Sequence, residues 1–323
     1  MLSSVAIVGL GSIGRRHIRL LSEIRQDIEV IVVRSGYGDA CEEEKLASKI
    51  VYSIDEALNL GIQAAIISSP ATLHLEQSLE LAKKGVHLLI EKPVSHTSDR
   101  LDDLLKITRN NELVIMVGYV LRYDPGAIKF KKWLNYKKIG KILNAKIECG
   151  SYLPEWRPGQ DYRDTVSSLP ELGGGVLLEL SHELDYLHWF FGKPYDMQAD
   201  VRNSGTLDID VEDQADLLMK SKQGFPVSVH IDFNRRFAER KCRVLTTKGE
   251  LIWDAVQKSV TWREANKELL VYKYDNERDY IYKMQLKTFI DCIEKNNNPI
   301  ITLEDGINVV KTIDTIRNAS LHK

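Results

Sequence analysis

Short apolar runs alternate with stretches of helical spacing over the first third of the chain. The runs Val5–Leu10 (VAIVGL), Glu29–Arg34 (EVIVVR), Ala64–Ser69 (AAIISS), His87–Lys92 (HLLIEK) and Leu113–Tyr119 (LVIMVGY) each have the length of a buried strand. Between them Ile13, His17, Leu20, Leu21 and Ile24 recur on one helical face, and Leu75, Leu79 and Ala82 on another. Strands that alternate with helices predict βαβ units and a doubly wound parallel sheet covered on both faces.

The pattern changes after Leu121. In Ile142–Cys149 (ILNAKIEC), Leu143, Ala145, Ile147 and Cys149 face one way and Asn144, Lys146 and Glu148 the other. Phe225–Phe233 (FPVSVHIDF) alternates likewise, Cys242–Asp254 reads as a hairpin turning at Lys248-Gly249, and Ser259–Tyr274 as two more strands. Period-two alternation with one polar face predicts a large, mostly antiparallel sheet whose outer face (Lys146, Glu148, Ser228, His230) stays open to water or to a second subunit. Two helices close the chain: Leu286, Phe289, Ile290 and Ile293 form one stripe, and "TLED" at Thr302–Asp305 opens the other like a capping box. The expected architecture is α/β, with a doubly wound domain over 1–121 and an α+β domain over 122–323, the last helices packing back towards the first domain.

Composition narrows the function. The chain has 323 residues, 43% hydrophobic and 28% charged, with a net charge of -2, so nothing attracts it to nucleic acid or an anionic membrane. No signal peptide precedes VAIVGL, and no apolar run approaches the roughly 18 residues of a spanning helix, so a cytoplasmic location is expected. Cys41, Cys149, Cys242 and Cys292 form no CxxC and read as reduced thiols; "HELDYLH" lacks metal-ligand spacing, so no metal is expected.

Gly9, Gly11 and Gly14 in "GLGSIG" have G-x-G-x-x-G spacing after a predicted strand and at the opening of a predicted helix. Glycines there permit a tight turn and close backbone approach, and a pyrophosphate rests on the helix N-terminus. Gly9, Gly11, Ser12, Ile13 and Gly14 are therefore candidate dinucleotide ligands; the bland alternative is a glycine-rich turn that binds nothing. The acid that grips a ribose 2′-hydroxyl about 20 residues further on is missing. Arg34 and Ser35 stand there instead, which suits a 2′-phosphate and predicts NADP; the alternative is a solvent-facing arginine in an NAD enzyme. Ser69 and Pro70 fall at a later strand end, His74 on the following helix, and Glu91 and Lys92 at the next strand end, where open α/β sheets bind ligands. A lysine buried beside a cationic ring can trade protons near neutrality; the alternative for Lys92 is a solvated surface charge.

"GLGSIGRRH", "SSPATLHLEQSLELAKKGVHLLIEKPVS", "VGYVLRYDP", "GGGVLLELSHELDYLHWFFG", "VEDQADLLMKSKQGFPVSVHIDF" and "TKGEL" follow one another in the order of a known family. The chain resembles, over nearly its whole length, the glucose-fructose oxidoreductase / inositol dehydrogenase / MocA family of NAD(P)-dependent oxidoreductases. The resemblance implies a Rossmann domain followed by a substrate-binding and oligomerisation domain. It implies that Lys92 contacts the reacting oxygen and the nicotinamide ribose, and that His182 is the general acid/base. Asp185 would orient substrate or helix, and Tyr119, Arg122 and Tyr123 would line the same cleft. It also implies a homodimer or homotetramer formed through the open sheet face. Many relatives place an acid four residues before the histidine; here Leu178 stands there and Glu179 is three before His182.

The stretch "PEWRPGQDYRD" is the most individual. Trp156 and Tyr162 offer flat surfaces for a sugar ring, and Arg157 and Arg163 offer forks for an anion; the competing reading is a loop pinned by surface salt bridges. The expected activity is hydride transfer between nicotinamide and a secondary alcohol or ketone of a sugar or nucleotide-sugar; the loop together with "SHELDY" resembles family members in bacterial surface-polysaccharide pathways, which implies that context. The alternatives are a non-catalytic dinucleotide-binding sensor on the same fold, or a non-sugar reductase of diol or biliverdin type.

Overall fold

The computed structural model describes residues 1–136 and 139–321. Its first unit comprises Met1–Val120 and Glu277–Val310. Six parallel strands, β1 (Ser4–Val8), β2 (Glu29–Val33), β3 (Lys49–Val51), β4 (Ala64–Ile67), β5 (His87–Ile90) and β6 (Ile115–Val117), lie in the order β3-β2-β1-β4-β5-β6. Order reverses at β1/β4, which places the ligand crevice of a doubly wound sheet at the carboxyl ends of those strands. Every residue of β1, β4 and β6 is buried, as a sheet covered on both faces requires. Helix α1 (Ser12–Ile24) follows β1, and α2 (Ile54–Asn59), α3 (Ala71–Lys83) and α4 (Leu101–Asn110) follow β3, β4 and β5. Right-handed crossovers put α1 on one face and α2, α3 and α4 on the other, where α3 packs on both α2 and α4. The sheet has one strand more than the sequence pattern predicts: β3 is three residues long, too short to show a period.

The second unit comprises Leu121–Asn276 and the chain from Lys311 on. Helix α5 (Pro125–Leu134) leads into β7 (Ile142–Gly150); α6 (Val176–Glu179) and α7 (His182–Phe191) precede β8 (Tyr195–Arg202), β9 (Gln214–Lys220), β10 (Pro226–Asp232), β11 (Glu239–Thr246), β12 (Gly249–Asp254), β13 (Ser259–Glu264) and β14 (Leu270–Lys273). These eight strands order as β14-β13-β12-β11-β7-β10-β9-β8, antiparallel except for β7 with β10. The inner face packs on α5 and α6 around Phe130, Tyr186, Phe190 and Trp253, with Tyr186 edge-on to Trp253 at 5.2 Å. Large rings of this kind dominate a core's buried area.

The outer face carries Lys146, Glu148, Ser228 and His230, as the alternation predicts. Leu143 leaves the buried row, because the β7–β11 register shifts between Leu245 and Thr246. The hairpin turns at Thr247-Lys248, one residue earlier than expected, and Gly249 starts β12, where a Cβ would stand 1.9 Å from the Arg263 carbonyl oxygen.

Two helices complete the chain. In α8 (Arg278–Lys295) Leu286, Phe289 and Ile290 are buried, and α8 packs on α1. Helix α9 (Leu303–Leu321) begins in the first unit and ends in the second. The expected capping box is present: Thr302 N–H donates to Asp305 Oδ2 at 2.9 Å, and Asp305 N–H donates to Thr302 Oγ1 at 3.1 Å. No helix among the described residues is long and apolar enough to cross a membrane.

Candidate active site

The turn from β1 into α1 is built for close backbone contact. Gly9 is left-handed at φ +88°, and a Cβ on it would stand 2.9 Å from the Ser69 nitrogen. A Cβ on Gly14 would stand 2.1 Å from the Gly9 carbonyl oxygen. At Gly11, by contrast, a Cβ would meet nothing within 4 Å: this residue faces open space at the N-terminus of α1. The first turn of α1 holds no acidic side chain, so its free N–H groups and dipole favour an anion. Ser12 is exposed and Ile13 half-buried beside it. The turn is braced from β4 by a residue that sequence reasoning missed: Ser68 Oγ–H donates to the Gly9 carbonyl at 2.7 Å. A tight glycine turn, one open glycine and an uncompensated helix N-terminus fit a dinucleotide pyrophosphate.

Arg34 ends β2, where a ribose would lie, but its guanidinium is already engaged. Nη1 pairs with Glu44, and Nη2 donates to the carbonyls of Tyr37, Gly38 and Asp39 at 3.1, 2.8 and 3.1 Å. Ser35 is exposed and accepts from the Tyr37 N–H at 3.3 Å.

Lys92 stands half-buried past the end of β5, between buried Glu91 and buried Pro93, with a cis bond between Lys92 and Pro93. Glu91 Oε1 lies 2.7 Å from Nε2 of fully buried His17, and Oε2 accepts from the Lys92 N–H at 3.3 Å. Glu91 was expected among the cofactor ligands; both of its oxygens are instead engaged by protein. From the opposite helical layer His74, 1% exposed, sets Nδ1 2.8 Å from the Pro93 carbonyl and Nε2 2.8 Å from the Ser69 carbonyl. Burial pushes this imidazole below its ordinary range against the pull of both carbonyls. Ser69 Oγ–H donates to Gln77 at 2.6 Å, and Pro70 caps α3. His74 thus joins two strand ends through their carbonyls, which makes it a brace of the site rather than an open ligand.

In the second unit His182 begins α7. From Gly173 to Leu187 every residue is buried except Glu179 and His182, which are half-buried. Leu178, four residues before His182, belongs to the core at 2% exposure. Helix α6 stops at Glu179 and α7 starts at His182, so the two side chains flank a break rather than sit on one continuous helix. The first turn of α7 is held from two sides. Arg122 Nε reaches both Asp185 oxygens at 3.1 and 3.0 Å, and Nη2 reaches Oδ1 at 2.6 Å, all buried. Arg240 Nε donates to Glu183 Oε1 at 2.7 Å. Arg122, expected to line the cleft, and Asp185, expected to orient substrate or helix, engage each other at the first turn of α7; Tyr119 and Tyr123 are buried. Glu183 and Arg240 were not foreseen, since a glutamate beside a candidate base looks solvated until its partner from β11 is known.

The loop after β7 divides. Arg163 is exposed and paired with Asp161 and Asp208, as the salt-bridge reading had it. Trp156 donates to Ser151 Oγ at 2.8 Å and meets Phe233 edge-on at 5.3 Å, and the Tyr162 hydroxyl accepts from the Asp208 N–H at 3.4 Å. Arg157 is half-exposed and forms no side-chain ion pair among the described residues. Among those residues no cluster of His, Cys, Asp or Glu could hold a metal ion, and the four cysteines are free.

Comparison with known proteins follows the same division. The family model "Oxidoreductase family, NAD-binding Rossmann fold" matches residues 3–119, and "GFO/IDH/MocA C-terminal domain" matches 128–252. A 1,5-anhydro-D-fructose reductase of Ensifer adhaerens is 28% identical over 84% of this chain and 81% of its own. A levoglucosan dehydrogenase solved with NADH has the same fold, with TM-score 0.89 and 16% identity over 100% of this chain and 98% of its own. So does the UDP-N-acetylglucosamine 3-dehydrogenase GnnA from Acidithiobacillus ferrooxidans, at TM-score 0.80 and 19% identity over 99% and 98%.

Proposed function

The chain belongs to the GFO/IDH/MocA family of oxidoreductases, and from that premise we propose that it moves a hydride between NAD and a secondary alcohol or ketone of a sugar or polyol. The observation that carries this reading is the edge of one sheet: an open glycine cradle after β1 and a half-buried lysine after β5, separated in the sheet by β4 alone. The backbone of Gly9–Gly14 would hold the pyrophosphate, and the nicotinamide supplies hydride transfer when bound. Lys92 donates hydrogen bonds to the reacting oxygen and the ribose. His182 takes the hydroxyl proton in oxidation and returns it in reduction. Glu179, half-buried and three residues before His182, is the carboxylate assigned as its partner.

NAD is favoured over NADP by the state of Arg34. With four acceptors already around it, one of them the Glu44 carboxylate, a 2′-phosphate would meet a neutralised fork and a like charge. NAD should bind at least about tenfold tighter than NADP, a gap of roughly 1.4 kcal/mol; tighter NADP would reverse the assignment. Arg157 supports the finer reading of an anionic substrate such as a nucleotide-sugar.

His182→Ala should cut kcat by about a hundredfold or more and leave the NADH dissociation constant nearly unchanged, read at the reduced-nicotinamide absorbance across a panel of sugars and polyols. Surviving turnover would make another residue the base. No turnover with any panel member, together with tight cofactor binding and intact biological output in Lys92→Ala, would support the sensor. A second copy of the chain is proposed on the outer face of the eight-stranded sheet. There a hollow of about 610 Å³ is lined by both signs of charge, among them Lys146, Glu148, Asp216, His230 and Arg235. Sedimentation showing only monomer at micromolar concentration would rule that out.

A further inference from the structure

Strand formation gives no reason for a carboxylate at Glu91. An ionised side chain that is 7% exposed against an apolar sheet edge costs several kcal/mol unless it is paired. Its partner His17 is fully buried in the second turn of α1, the helix whose N-terminus forms the glycine cradle. One carboxylate oxygen meets His17 Nε2 at 2.7 Å; the other accepts from the backbone of Lys92 at 3.3 Å. Gly118, after β6, leaves the room this needs, since a Cβ there would stand 2.8 Å from Glu91 Oε2. Tyr282 of α8 closes the far side of His17, ring edge to ring face at 6.3 Å between centroids, with the Arg16 guanidinium over the tyrosine ring. A hydrogen-bonded path thus runs from the cradle helix through two buried side chains to the main chain of Lys92.

We propose that His17 and Glu91 are positioning residues that fix Lys92 relative to the dinucleotide cradle, and that Gly118 is part of the same device. The proposal rests on the reading of Lys92 as a catalytic residue, but its mechanical content does not. The pair acts on the main chain of Lys92, through the Lys92 N–H, and not on its amine. A packing role alone would be served as well by two apolar side chains, because replacing a whole buried polar pair by hydrophobic groups is often neutral for stability.

That difference sets the test. In the full-length protein, the double variant His17→Leu/Glu91→Leu should unfold within a few degrees of wild type, yet lose about tenfold to a hundredfold in kcat, with KM for the nicotinamide cofactor little changed. A kcat that recovers along with stability in the double variant would overturn the proposal. A second readout needs no substrate: acetylation of Lys92 by acetic anhydride, followed by peptide mass spectrometry, with and without NADH. In wild type NADH should slow the labelling; in the double variant labelling should be at least about threefold faster and its response to NADH reduced. Equal labelling rates and an equal NADH response would overturn the proposal even if no substrate is ever found. Loss of turnover in wild type with the labelling difference intact would instead reject the catalytic reading. If the double variant does not fold, Gly118→Ala displaces the Glu91 carboxylate while keeping both partners, and the same two readouts apply.

Discussion

The end of β5 and the start of α7 hold their reactive side chains by opposite chemistry. Lys92 is flanked by histidines, with His17 acting through Glu91 and His74 through the Pro93 carbonyl. His182 is flanked by arginine pairs, Arg122 on Asp185 and Arg240 on Glu183. Arginine keeps its charge at any ordinary pH and presents a fixed fork, so the seat of α7 is rigid, and its strength depends on keeping both partners. A neutral imidazole has one N–H and can donate to only one of two carbonyls at a time. His74 therefore holds two strand ends through a contact that can shift from one to the other. The helix that carries the candidate base is held by permanent charges, and the strand end that carries the lysine by imidazoles.

The largest effect should come from cutting the clamp. Arg122→Met removes the guanidinium that pairs with buried Asp185 and should cost about 3–5 kcal/mol of unfolding free energy in urea. Arg122→Met/Asp185→Leu should recover most of it. A loss below about 1 kcal/mol in the single variant would mean that the pair does not hold α7. Smaller effects separate the two units by the sign of their pH dependence. The folded-state pKa of His74 lies below its ordinary 6.5, so its contribution is complete above that pH and is lost as the pH falls below it. His230, on the outer sheet face beside Asp232 and Asp216, is raised instead. Its contribution is complete below pH 6.5 and is lost as the pH rises through its folded value. His74→Gln should flatten the acid limb of the stability profile, and His230→Gln the alkaline limb. If either substitution changes the other limb, the assignment of signs is wrong.

Much of the scaffold was legible because burial leaves a periodic trace. β1, β4 and β5 are short apolar runs, and β7 and β10 alternate cleanly. β8 escaped because only Ala199 among its eight residues is buried, so it carries no period at all. The glycine cradle was legible as a turn with a reason for each glycine. The braces were not. His17 reads as one more residue on an apolar helical face, and its partner lies 74 positions away. Arg122 and Asp185 took their expected places from the family resemblance, whereas only the folded chain shows that they pair with each other. Sequence periodicity reports which faces are buried; it does not report which buried polar groups meet.

The single parallel pair in the second sheet bears on how the protein is made. An antiparallel neighbour can follow a strand after a tight turn, but β7 lies between β10 and β11, whose residues pair with it from about eighty to a hundred positions further along the chain. As the chain leaves the ribosome, the strands of the first sheet emerge in one compact stretch ending at Val117, each able to pair soon after synthesis. β7 must wait with both edges bare until β10, which begins only at Pro226, has appeared. That interval is when the nascent protein is most exposed to pairing with the wrong strand, and the charges of Lys146 and Glu148 at the middle of β7 are suited to discouraging such a mistake.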